Sequence, residues 1–171
     1  MYQMNLRVLQ VLHDEHLTTL GLLDRFDRLL KKVKSSAPPE KGDEETALLL
    51  ADVIANMKDE AERHFNFEEE NLFPRFSTLA DPGIPAMLRA EHDAIRPLAR
   101  KLVELGGQAR ADGFSAESWR EFHQIGRELI EREAFHVQKE EMGFLPALDQ
   151  MLSPDDAQKL AEIYDDMKAG E

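Results

Sequence analysis

The sequence contains no cysteine. That removes disulfides, thiolate-bound zinc, iron–sulfur clusters and thiol nucleophiles together, so any metal must be held by nitrogen and oxygen donors. Such donors favour iron, manganese or zinc over copper(I). Basic residues are also short, 21 against 34 acidic ones, for a net charge of −13. A surface of that sign repels phosphate backbones and anionic lipid, which argues against nucleic acid and membrane as partners; solubility accounts for it. No run approaches the roughly 18 apolar residues that a bilayer span requires. The opening segment Met1-Tyr2-Gln3-Met4-Asn5-Leu6-Arg7 lacks the basic-then-apolar plan of a signal peptide, so a cytoplasmic protein is expected. Strand-like alternation is missing too. The hydrophobic period is helical throughout 171 residues, a length that suits a single domain, 1–171, with a core of its own.

What the chain does have is a phrase that occurs twice. His64-Phe65-Asn66-Phe67-Glu68-Glu69 runs on to Leu72-Phe73-Pro74, and His136-Val137-Gln138-Lys139-Glu140-Glu141 runs on to Phe144-Leu145-Pro146. A His followed four residues later by a Glu puts an imidazole and a carboxylate on one helical face, a turn apart. Upstream of each phrase lies a Glu-His dipeptide, Glu15-His16 and Glu91-His92, with 48 residues from His16 to His64 and 44 from His92 to His136. Two copies make an internal repeat of helix pairs rather than a solenoid.

The periodicity predicts four long helices. The first covers about 6–33, with the seam Leu9, Leu12, His16, Thr19, Leu23, Phe26, Leu30 and Val33. The second carries Leu50, Ile54, Met57, Ala61, His64, Glu68 and Asn71, with Pro74 marking its end. The third follows the turn Asp81-Pro82-Gly83, carries Leu88, His92, Ile95, Ala99 and Leu102, kinks at Pro97 and stops near Gly106-Gly107. The fourth starts behind Ser115 as N-cap and carries Phe122, Gly126, Leu129, Glu133, His136, Glu140 and Gly143. A short fifth helix, about 153–168, opens with Ser153-Pro154. The fold class this predicts is all-α: an up-down-up-down four-helix bundle over about 5–150 with a C-terminal accessory helix.

His16, His64, Glu68, His92, His136 and Glu140 all fall in these apolar seams. Unpaired buried carboxylates cost several kcal/mol each, and a pair of cations removes that cost by coordination. Six residues in two matched sets therefore read as a metal site more readily than as buried His–Glu hydrogen bonds. His123 lies 13 residues before His136, about 20 Å along the helix, and reads as a packing or surface residue. His13, about one turn before His16, reads as an outer or surface group rather than an extra ligand, since it has no counterpart in the second repeat. Glu133, one turn before His136, has Ala61 as its helix 2 counterpart and either accepts from a ligand imidazole or faces solvent. Glu69 and Glu141, rotated about 100° from their neighbours, read as solvated.

On these residues the chain resembles the hemerythrin-like family, the HHE cation-binding domains. The resemblance implies a four-helix bundle around a non-haem di-iron centre, two iron ions with an oxo or hydroxo bridge, manganese or zinc being the alternatives. It implies His16, His64, His92 and His136 as terminal ligands and Glu68 and Glu140 as bridges. The oxygen-carrying hemerythrins have H-x-x-x-H on the third helix, whereas here the residue four after His92 is Arg96. That departure counts against reversible oxygen carriage and leaves an open position on each iron. The function it implies is binding or sensing of oxygen, nitric oxide or iron; the alternative is a redox enzyme acting on nitric oxide or peroxide, or an iron donor for cluster repair. The repair proteins carry an N-terminal cysteine segment, which this sequence lacks. The expected partner is a small diatomic ligand.

Overall fold

The computed structural model describes residues 4–170; Met1, Tyr2 and Gln3 of the segment read for a signal peptide lie outside them. The described chain is all helical, with no strand. Helix α1 spans Arg7–Lys32, and Leu9, Leu12, His16, Thr19, Leu23, Phe26 and Leu30 of its seam are buried. Lys31 and Lys32 sit in its last turn, where cations offset the carbonyl end of the helix.

Helix α2 begins with Glu44–Asp59 behind an N-cap at Asp43, whose carboxylate accepts from the Thr46 amide. It does not end at Pro74. The helix continues through Glu60–His64, Phe65–Phe67, Glu68–Leu72 and Phe73–Leu79, one rod over 44–79. Glu60–His64 and Glu68–Leu72 are π-turns, each holding one residue more than an α-turn. Pro74 has no amide hydrogen to give, and its ring clashes with the carbonyl four residues back in a regular helix. The widened turn directly before it relieves that clash.

Helix α3 spans Gly83–Asp112, unbroken past Pro97 and past Gly106-Gly107. Gly106 serves a close approach instead of a stop, because a Cβ there would lie 2.1 Å from Cδ1 of Ile54 on α2. The helix stops at Gly113, whose φ of 78° suits glycine. Helix α4 starts at Ala116–Lys139 behind a Ser115–Ser118 capping box and runs through a π-turn, Glu140–Phe144, into Leu145–Met151. Helix α5 spans Pro154–Ala169 with Ser153 as N-cap.

The four long helices pack in a ring, α1 on α2, α2 on α3, α3 on α4 and α4 on α1, while α5 lies on α1. Two apolar clusters fill the interior. One holds Phe26, Met57, Leu102, Trp119 and Phe122; the other holds Leu12, Phe67, Phe73, Phe144 and Leu160. No helix among the described residues is long and apolar enough to cross a membrane.

Candidate metal centre

The six seam residues meet in the bundle interior, each between 0 and 1 % exposed. They form two groups of four donors, each group's ligand atoms lying within 4.8 Å of one another: His16, His64, Glu68 and Glu140, and Glu68, His92, His136 and Glu140. The two groups share both carboxylates. Glu68 turns Oε1 to His64 Nε2 at 3.3 Å and Oε2 to His92 Nε2 at 3.4 Å. Glu140 turns Oε2 to His16 Nε2 and Oε1 to His136 Nε2, both at 3.2 Å. Each carboxylate thus offers one oxygen to each group.

The imidazoles face each other through Nε2, His16 to His64 at 3.1 Å and His92 to His136 at 3.0 Å. Their other nitrogens are all engaged. His64 Nδ1 pairs with Glu15 at 3.0 Å, His92 Nδ1 with Glu69 at 2.7 Å, His136 Nδ1 with Glu91 at 3.0 Å and His16 Nδ1 with Glu141 at 2.7 Å. A carboxylate accepts only, so each Nδ1 carries a hydrogen and each Nε2 is the nitrogen turned inward. The carboxylates follow the ring: α1 holds the His of α2, α2 that of α3, α3 that of α4, and α4 that of α1. Glu69 and Glu141 therefore face imidazoles rather than solvent. The sequence signal was their place in the doubled Glu-Glu, whose second carboxylate reaches sideways to the next helix while the first points inward.

Residues on α3 hold Glu69 in turn. Arg89 Nη1 donates to its Oε2 at 3.0 Å and Arg96 Nη1 pairs with its Oε1 at 2.8 Å. The same two arginines serve the π-turns. The Phe65 amide bonds to Glu60 and Glu62, leaving the Ala61 carbonyl to Arg96 Nε at 3.1 Å. The Phe73 amide bonds to the Glu68 carbonyl, and the Glu69 carbonyl accepts from Arg89 Nη2 at 3.2 Å. Arg96, four residues after His92, thus positions the carboxylate that holds the His92 ring. His13 Nδ1 takes the free oxygen of Glu141 at 2.6 Å. It stands three residues before His16, as Arg89 stands three before His92, so its counterpart is an arginine. His123 stays away from the centre: Nε2 donates to the Leu30 carbonyl at 2.7 Å.

Glu15 is caged by α2 and α5. Arg63 Nη2 donates to its Oε1 at 2.8 Å, the Tyr164 hydroxyl donates to it, and Lys168 Nζ lies 3.0 Å away. Burial pushes Glu15 up, but the His64, Tyr164 and Lys168 contacts outweigh it and hold the carboxyl well below its usual range. The accessory helix is therefore part of the site's support. Burial lowers His16, yet the carboxylates of Glu140 and Glu141 beside it push it up to about 10.

The π-turns also change which residues face inward. Each adds a residue, so Leu72 and Phe144 are buried where an unbroken α-period put Asn71 and Gly143, and Gly143 is exposed. The same shift makes Glu60, not Ala61 alone, the α2 counterpart of Glu133. Glu60 is 3 % and Glu133 0 % exposed.

These donors fit a pair of metal ions. Both oxygens of Glu68 and of Glu140 are buried and accept no hydrogen bond, although imidazole nitrogens stand close by. They are arranged around common points rather than aimed at each other. Ligand bonds of about 2.1 Å at right angles separate neighbouring donors by about 3 Å, near the spacings here. Phe65 stacks on His92 at 3.7 Å and meets His136 edge-on, giving the centre an apolar wall.

A helical bundle with histidine and glutamate donors gathered in its interior defines a cation-binding protein. The family model of the hemerythrin HHE cation binding domain matches residues 7–116, and the chain belongs to that family. The match takes in His16, His64, Glu68 and His92 and ends before His136 and Glu140, which the internal repeat and the geometry add. No curated protein matches the chain at a significant level.

Proposed function

We propose that this chain is a non-haem di-iron protein, a single-domain, cytoplasmic up-down-up-down bundle that binds or senses a diatomic ligand such as oxygen or nitric oxide. The ring of helix neighbours and the short connections support that topology. The observation that carries the reading is the pair of buried donor groups sharing Glu68 and Glu140. His16 and His64 would hold one ion, His92 and His136 the other, and the two carboxylates would bridge them. Iron bound there would supply one-electron redox chemistry and coordination positions for a small ligand. The chain's own part is threefold. Glu15, Glu69, Glu91 and Glu141 fix the ring tautomers and raise the basicity of Nε2. Phe65 and Phe73 against His92 exclude water. The helices keep the donors at contact distance. Anaerobic purification from iron-supplied cells, metal analysis, and spectra after adding oxygen or nitric oxide test the reading. Two irons per chain with ligand-dependent absorption are expected; a gently purified protein with no iron, manganese or zinc would sink it.

A further inference from the structure

Two carboxylates beside the centre have no role in the six-ligand arrangement. Glu60 and Glu133 lie one turn before His64 and His136, whereas Glu68 and Glu140 lie one turn after them, so the four carboxylates flank the imidazole level on opposite sides. Glu133 is fully buried, and neither of its oxygens accepts a hydrogen bond. Glu60 Oε2 accepts from Thr19 Oγ1 at 3.1 Å, which fixes the side chain and leaves Oε1 without a partner, 3.5 Å from His64 Nε2. That spacing matches those between the six ligands. The π-turn Glu60–His64 is what turns Glu60 inward, and it is stitched in place by Arg96.

We propose, on the di-metal reading above, that Glu60 and Glu133 are a third and fourth carboxylate of the centre, one terminal ligand for each ion. Glu60 joins the ion of His16 and His64; Glu133 joins the ion of His92 and His136. Charge supports the assignment. Two divalent ions bring +4, and Glu68 and Glu140 return −2. Glu60 and Glu133 supply the remaining −2, so with water rather than an anion between two divalent ions the buried centre becomes neutral, where uncompensated charge is costly. Glu60 and Glu133 would then occupy the position left open on each ion. The alternative is two buried carboxyl groups with unmet acceptors inside an apolar core, which costs stability and brings nothing in return.

Cobalt(II) loaded into the metal-free protein tests this, since its visible absorption weakens as coordination number rises. Chelator competition measures affinity, and helical circular dichroism confirms that each variant folds. Glu60→Gln and Glu133→Gln should each strengthen the absorption of one ion of the pair and lower its affinity tenfold or more. The double variant should change both ions. The metal-free double variant should melt no lower than the metal-free parent. Absorption and affinity matching the parent's would overturn the inference, as would a fall in affinity with unchanged absorption, which marks a field effect without ligation. A parent that binds no cobalt pair would instead overturn the di-metal reading.

Discussion

Glu69 and Glu141 differ from Glu68 and Glu140 by a rotation of about 100° around the helix, and that rotation separates two jobs. The inward carboxylates meet two imidazole groups each. The sideways ones meet a single Nδ1 and are in turn held from outside, Glu69 by Arg89 and Arg96 and Glu141 by His13. Burial pushes Glu69 up, but Arg96 and His92 bring its pKa below the ordinary value, so it is ionised at neutral pH and accepts from the ring. In the proposed centre, loss of an inward carboxylate would leave two cations under-neutralised, and loss of a sideways one would free a ring to turn. Glu68→Ala and Glu140→Ala should therefore each lose at least one ion by metal analysis. Glu69→Ala and Glu141→Ala should keep two ions at saturation while chelator competition shows affinity reduced about 10- to 100-fold. Equal behaviour of all four variants would mean that the two jobs are not divided this way.

At the level of helices, the spacing of apolar residues was enough to place α1, the start of α4 and the seams around His16 and His92. Those stretches are regular α-helix, where a period of 3.6 holds. It was not enough for the second phrase of each repeat. A π-turn is an extra residue with no composition of its own, so the α-period ran through Asn71 and Gly143 instead of Leu72 and Phe144, and passed over Glu60. Pro74 looked like a terminator for the same reason, although the widened turn lets the helix continue past it. Glycine misled in the third helix, where Gly106 admits Ile54 rather than ending anything. Gly126 on α4 works alike: a Cβ there would lie 2.7 Å from Cζ of Phe26 and 3.0 Å from Cδ1 of Leu30, both on α1. Gly126→Ala should raise helix propensity locally but lower stability by about 1–3 kcal/mol through overpacking, read by thermal or denaturant unfolding. A variant as stable as the parent would show that α1 and α4 can part without loss.

Across the whole molecule the two halves are alike at the inward histidines and glutamates and unlike in their support. On the α1–α2 half, α5 brings Tyr164 and Lys168 to Glu15. On the α3–α4 half, Glu91 has Lys139 as its cation, and the groove beside it, lined by Met87 and Phe135, is uncovered. Tyr164→Phe should therefore weaken the ion held by His16 and His64 and spare the other, splitting a metal titration into two separated steps; a uniform shift would show that α5 acts only as packing. Protons link the centre to the stability of the entire fold. Without metal, His16 is pushed up to about 10 from its ordinary 6.5 by Glu140 and Glu141 acting against burial. Glu133 is pushed up to about 8 from 4.5 by burial and by Glu60. In both cases the folded chain binds more protons than the unfolded one, so metal-free stability must fall as pH rises. The His16 contribution is complete below about 6.5 and is lost as pH climbs through about 10; the Glu133 loss runs from about 4.5 to about 8. The loaded centre needs neutral imidazoles and ionised carboxylates, so it carries none of those protons. Metal uptake near pH 7 should then release protons into a weakly buffered indicator solution. The melting temperature of the loaded protein should exceed that of the metal-free protein by a margin that widens from pH 6.5 to pH 10, and a margin independent of pH, with no proton release, would mean that these side chains do not exchange their protons for metal.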